Sequence, residues 1–187
     1  MKISNPVSTT FIIVATLFLV YLLLPGPSSI EDFPPLPNSA KSTLEGDTIQ
    51  VPNVAAYFSN NYREFVVDFY RRDFLKKTWL PFLPLRLNHP PEYAYIAIKV
   101  ETHSTYLEEY YYPLRDSLFV NGLEPFEKDG TPKYTGAIKF DNEDRISDTK
   151  VTLRYYPSSV WVRILVWLGI CSSIILLWKM GKKVIAS

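Results

Sequence analysis

The sequence predicts an α+β fold. An extracytoplasmic domain with one long amphipathic helix and an antiparallel β-sheet is placed between two transmembrane helices. Three observations predict it. Apolar runs stand near both ends of the 187-residue chain. All 19 acidic residues lie between these runs, from Glu31 to Asp148. Within that middle part, apolar residues recur first at helical and then at strand spacing.

The first apolar run, Val7 to Leu24, holds 18 residues without a charge. Lys2 and the stretch "FIIVATLFLVYLLL" would also suit a signal peptide, which needs a basic start and an apolar segment. Pro25-Gly26-Pro27 follows in place of a small-residue cleavage pattern. The reading is an uncleaved signal anchor over residues 7–25, behind a short cytoplasmic tail at 1–6. Five prolines then fall between positions 25 and 37. Proline fixes φ and lacks an N–H, which rules out a helix or a central strand. Residues 26–48 are predicted to be a semi-rigid spacer.

Residues 49–157 form the predicted outer domain. In "NVAAYFSNNYREFVVDFYRRDFLKK", Phe58, Tyr62, Phe65 and Phe69 share one helical face. Asn53 suits its N-cap. Arg71, Arg72, Lys76 and Lys77 crowd its C-terminal end, where the helix dipole favours cations. The same cluster would suit an anionic surface. Pro81 and Pro84 forbid a helix in the next stretch, Trp79 to Leu87. Trp79 and Phe82 are expected in an irregular loop, packed over the core or exposed to touch a partner or the membrane. Asn88 and Pro90-Pro91-Glu92 signal a helix start. The β-branched Ile96, Ile98 and Val100 that follow leave helix or strand open.

From Tyr106 onward the pattern is β. "YLEEYYYP", "SLFV", "KYTGAIKF" and "DTKVTLRYY" are short, aromatic and β-branched. Asn121-Gly122, Asp129-Gly130 and residues 141–145 carry turn chemistry between them. Short connections imply antiparallel neighbours. The last strand leads through Pro157-Ser158-Ser159 into the second apolar run, so the sheet is expected to end close to the membrane.

That run, Val160 to Trp178, has 19 residues and one charge, Arg163. At about 1.5 Å per residue it covers roughly 28 Å, close to the roughly 30 Å hydrocarbon core. A transmembrane helix is predicted over 160–180, with Trp161 and Trp178 at headgroup level and Arg163 snorkelling outward. Lys179, Lys182 and Lys183 lie at its end, and residues 181–187 are read as a basic cytoplasmic tail. The middle holds 15 basic against 19 acidic residues, net −4. The positive-inside rule then places both termini in the cytoplasm and the central domain outside. Gly169 and Ser173 form a small-x-x-x-small pair suited to helix packing. Cys171 is the only cysteine, so no intramolecular disulfide exists.

Catalytic chemistry finds little support. His103 with Glu101, and His89 with Glu92, could be drawn into one metal site, but no spacing demands it and ordinary hydrogen-bonding histidines are expected. Glycine-rich phosphate loops and the G-x-S-x-G pattern are absent. Glu108 and Glu109 would point to opposite faces of a strand and make a poor acid–base pair. No cofactor is expected. Tyr110, Tyr112 and Arg115 could line a glycan or peptide groove, or serve as core aromatics with satisfied hydroxyls.

Both cytoplasmic ends are too short for a signalling or nucleic-acid-binding module. The expected function is a non-enzymatic, membrane-anchored accessory, scaffold or assembly subunit of a membrane or envelope complex. Its partners would be the lipid bilayer and an integral-membrane protein or a second copy, and not nucleic acid. The alternative is an extracytoplasmic binding domain for a glycan, peptide or lipid headgroup. Two spans with a β-rich outer domain between them resemble, in layout alone, the surfeit-locus family of oxidase assembly proteins.

Overall fold

The computed structural model describes residues 6–44, 47, 51–99, 103–142 and 145–185. In chain order the elements are α1 (Pro6–Leu23), β1 (Ala40–Lys41), β2 (Val54–Ser59), α2 (Arg63–Lys77), β3 (Leu85–His89), α3 (Ala94–Ala97), β4 (Tyr106–Tyr111), β5 (Ser117–Leu123), β6 (Phe140–Asn142), β7 (Arg145–Ser147), β8 (Thr149–Tyr156) and α4 (Val160–Ile185). The chain divides into two compact units, Met1–Pro25 with Ser158–Ser187, and Gly26–Pro157.

In the first unit, α1 and α4 lie side by side and antiparallel. Trp167 Nε1 donates to the Ala15 carbonyl at 2.8 Å, and Arg163 Nη1 to the Leu22 carbonyl at 3.0 Å. Rising numbers on one helix thus meet falling numbers on the other. α4 has 26 residues and an 18-residue stretch of mean hydropathy 2.2, long and apolar enough to cross a membrane, and α1 is a shorter apolar helix. Arg163 reaches toward the Ser158 end of α4, where protein groups hold its head. It is buried, and its Nε and Nη2 also donate to Ser158 Oγ and O at 2.7 and 2.9 Å. α1 has no basic residue in its own last turn. A helix leaves its final carbonyls unpaired, and Arg163 supplies the missing donor from the neighbouring helix. Gly169 faces open space and Ser173 is exposed, so this small-residue pair does not pack against α1.

The second unit is α+β. Its six-stranded antiparallel sheet runs β1-β2-β8-β5-β4-β3, with β6 and β7 as a separate hairpin. Strand alternation sorts the side chains to two faces. Tyr110, Leu118, Leu153 and Tyr155 are buried on one face, which α2 covers with Val66, Val67, Tyr70 and Phe74. Tyr110 Oη donates to the Val67 carbonyl at 3.0 Å, tying helix to sheet. On the opposite face, Ala94 and Ile98 around α3 pack on Leu107 and Phe119.

The proline-rich stretch does not act as a free spacer in its first part. Ser29 and Asp32 form a capping box on a 3₁₀ turn, and Ile30, Phe33 and Leu36 are buried. The Phe33 ring lies 5.3 Å from Tyr155 and 6.1 Å from Phe74. Tyr155 Oη donates to the Pro27 carbonyl at 2.8 Å. Prolines exclude regular structure, but they leave apolar side chains free to bury against a ready-made face.

Further expectations change. The predicted long helix splits: Val54–Ser59 is a fully buried strand between β1 and β8, and α2 begins only at Arg63. Asn53 is no N-cap; it adopts φ +58° just before β2. The helical stripe was mis-phased as well, since Phe65 is 47 % exposed. Asn121-Gly122 is no turn but the interior of β5. A Cβ on Gly122 would meet the Tyr106 ring at 2.0 Å, so the glycine admits that ring. "KYTGAIKF" contributes only its final Phe140 to a strand. The turn at Asp129-Gly130 is present, with Gly130 at φ +87°.

Candidate functional site

The strongest candidate grows from the C-terminal end of α2. Thr78 caps the helix through its N–H to the Leu75 carbonyl, and its hydroxyl lies 3.2 Å from Tyr112 Oη. Trp79 follows in the left-handed region at φ +54°, which turns the chain sharply. Non-glycine residues seldom accept that conformation. Here two anchors hold it in place: Leu80 is buried, and Tyr112 Oη donates to the Phe82 carbonyl at 3.0 Å. The Phe82 ring meets Tyr112 edge-on at 5.5 Å.

With its backbone fixed, this loop presents apolar side chains to solvent. Trp79 is 78 % exposed, and Phe82 and Leu83 are each 48 % exposed. Leu85 and Leu87 of β3 are exposed as well, on the sheet face opposite Tyr112. Large apolar groups held out by a pinned backbone are a mark of a contact surface. The Trp79–Leu87 stretch, read as one irregular loop, is thus a short loop followed by an edge strand.

The four predicted cations share the end of α2. Arg72, Lys76 and Lys77 are exposed, while Arg71 is half-buried and among the described residues its Nε has no hydrogen-bond partner. Arg72 is 3.9 Å from Asp68, a solvated pair that adds little. Burial pushes the Asp73 carboxyl up, and Lys77 and Lys76 only partly offset this.

Tyr110, Tyr112 and Arg115 line no groove. All three are buried. Tyr110 points at α2, Tyr112 pins the loop, and Arg115 pairs with Asp116 at 3.5 Å. Burial pushes the Tyr112 phenol up, against the hydrogen bond to Thr78. Alternating aromatic residues read the same whether a strand face is covered or open; the cover comes from α2.

Other polar groupings are internally matched. His89 Nε2 lies 2.7 Å from Glu109, not beside Glu92, and its ring stacks between Tyr93 and Phe119. Ser117 also donates to Glu109. The carboxylate therefore stands between serine and imidazole, an order that does not activate the hydroxyl. His103 stacks on Tyr134, and Glu101 lies outside the described residues. Among the described residues no three His, Cys, Asp or Glu side chains gather as a metal site. Glu108 and Glu109 do face opposite ways, and the buried Glu108 takes Arg63 and Arg86. An open polar recess of about 530 Å³ lies by Tyr62, Arg63 and Lys133. Its Glu124 already accepts the Arg63 N–H at 2.6 Å and pairs with Lys133 at 2.9 Å.

Sequence reading missed the Arg63–Glu108–Arg86 cluster, because its members sit on three elements. It located the apolar loop from composition alone. No protein-family model, curated protein or solved structure matches this chain.

Proposed function

We propose that this chain is a membrane-anchored accessory or assembly subunit that contacts an integral-membrane partner through the Trp79–Leu83 loop. In this reading α1 and α4 both cross the bilayer, both termini are cytoplasmic, and Gly26–Pro157 is extracytoplasmic. The paired helices support it: α1 has 18 residues, about 27 Å of helix, and lies against a helix of spanning length. Lys179, Lys182 and Lys183 support the orientation.

The loop carries the functional part. Trp79 and Phe82 are exposed although their backbone is anchored, so contact would order little that is not already ordered. Arg72, Lys76 and Lys77 stand beside it and suit an acidic partner surface. The glycan or peptide alternative loses its support, because the residues proposed for that groove are buried.

The test uses the full chain with Trp79→Ser and Phe82→Ser together. Cross-linking in native membranes, then purification and mass spectrometry, should lose an integral-membrane partner that wild type retains, with the circular dichroism unchanged. A partner retained at wild-type yield sinks the assignment. For topology, Lys128→Cys in a Cys171→Ser background should react with an impermeant thiol reagent from outside intact cells.

A further inference from the structure

The edge strand β3 carries a second surface. It ends the six-stranded sheet, and Leu85 to Asn88 are exposed on it. The opposite edge, β1, is only two residues long. In an antiparallel ladder each residue turns its N–H and C=O to one neighbour, and alternate residues turn to opposite neighbours. The Tyr112 N–H donates to the Asp116 carbonyl at 3.2 Å, so residue 112 faces the β5 side. Counting back, Tyr111, Glu109 and Leu107 face β3, where their register partners are Leu85, Leu87 and His89. The outward backbone groups of β3 are those of Arg86 and Asn88. Among the described residues they make no backbone bond to another segment.

Proline brackets this edge. Pro84 and Pro90 occupy the next two outward positions, and neither has an N–H to offer. An added strand therefore finds donors at two residues only.

We propose that β3 pairs antiparallel with β3 of a second copy of this chain, with Leu87 on the twofold axis. In that register Arg86 faces the second copy's Asn88, and the exchange is reciprocal, giving four backbone hydrogen bonds. A shift one way sets Arg86 against the second copy's Arg86, and like charges directly opposite destabilise a sheet. A shift the other way sets Arg86 against the second copy's Pro90, which has no donor. Only the central register pairs every outward group and separates the charges. Leu87 then faces the second copy's Leu87 as a non-hydrogen-bonded pair, with Cα atoms about 4.5 Å apart. Each copy has one such edge, so the assembly closes at two.

The surface is distinct from the Trp79 and Phe82 contact, and its test reads self-association alone. Single cysteines are placed in the full chain in a Cys171→Ser background and oxidised mildly in membranes. Leu87→Cys should give a covalent dimer as the main species, because the expected Cα separation lies in the disulfide range of about 4.4–6.8 Å. Leu85→Cys should not, since its two copies would lie four strand positions apart, about 13 Å. Mixed Leu85→Cys and His89→Cys copies should cross-link to each other. Adding Asn88→Pro to Leu87→Cys removes an outward donor and should cut the dimer at least tenfold, with helical circular dichroism unchanged. Absence of a Leu87→Cys dimer overturns the proposal, and so does equal cross-linking at Leu85 and Leu87.

Discussion

Arg163 reaches from α4 to α1 and donates its Nη1 proton to the Leu22 carbonyl at 3.0 Å. The last carbonyls of a helix have no partner of their own. Arg163→Leu should loosen the helix pair. Bonds of this kind between membrane helices average about 0.6 kcal/mol and reach about 1.7 kcal/mol. One such bond to Leu22 and two to Ser158 are lost together, so we expect about 1–2 kcal/mol. Thermal unfolding of the full chain in mild detergent checks this. Arg163→Lys should recover part of the loss, and an Arg163→Leu protein as stable as Arg163→Lys would count against the cap.

Gly122 and Tyr106 test the sheet. Gly122→Ala would drive a methyl into the Tyr106 ring, whose Cε1 stands 2.0 Å from the Cβ position. Overpacking of this sort costs about 1–3 kcal/mol. Among the described residues the buried Tyr106 hydroxyl has no hydrogen-bond partner. Tyr106→Phe should thus be neutral or slightly stabilising. Urea midpoints of the two variants should move in clearly different degrees; a large loss in Tyr106→Phe would reveal a bond to that hydroxyl.

The phase of α2 is also testable. Phe74→Ala, at a fully buried ring, should cost about 3–5 kcal/mol. Phe65→Ala should cost under about 1 kcal/mol, because its ring is half in solvent and stacks on the partly exposed Phe69 at 5.9 Å. The reverse order of effects would restore the helical phase expected from sequence.

Glu108 makes a pH prediction. Burial pushes its carboxyl up, but hydrogen bonds from Arg86 and Arg63 outweigh burial and leave it below the usual carboxylate range. A folded pKa below the unfolded one adds stability above the unfolded value of about 4.3. That stability disappears as pH falls through the lowered folded pKa. Glu108→Gln should cost roughly 2 kcal/mol at pH 7. This is less than for a fully buried pair, because Arg63 and Arg86 are 38 % and 41 % exposed. Urea titrations should show the gap to wild type closing as pH falls below the unfolded carboxylate value of about 4.3. A gap constant with pH would mean that the carboxylate charge is not what stabilises.

The α+β class, the antiparallel strands, the apolar end helices and the apolar loop after α2 were legible in the sequence. Each rests on a local property: charge asymmetry, alternation along β8, proline at positions 81 and 84, apolar side chains around them. Local pattern misled where a neighbour overrides it. Val54–Ser59 reads like helix because a strand covered on both faces shows no alternation. Gly122 reads like a turn because sequence does not reveal the Tyr106 ring above it.

The sequence by itself determined which segments are apolar, where proline breaks regular structure and where the charges lie, because these follow from side-chain chemistry and backbone sterics. Tertiary structure decided the rest. It buried Tyr110, Tyr112 and Arg115, folded Phe33 of the proline-rich stretch into the core, and left Trp79, Phe82 and Leu87 outside. Burial depends on which face another element covers, and α2 and the Ile30–Leu36 stretch lie far in sequence from the strands β4, β5 and β8 that they cover.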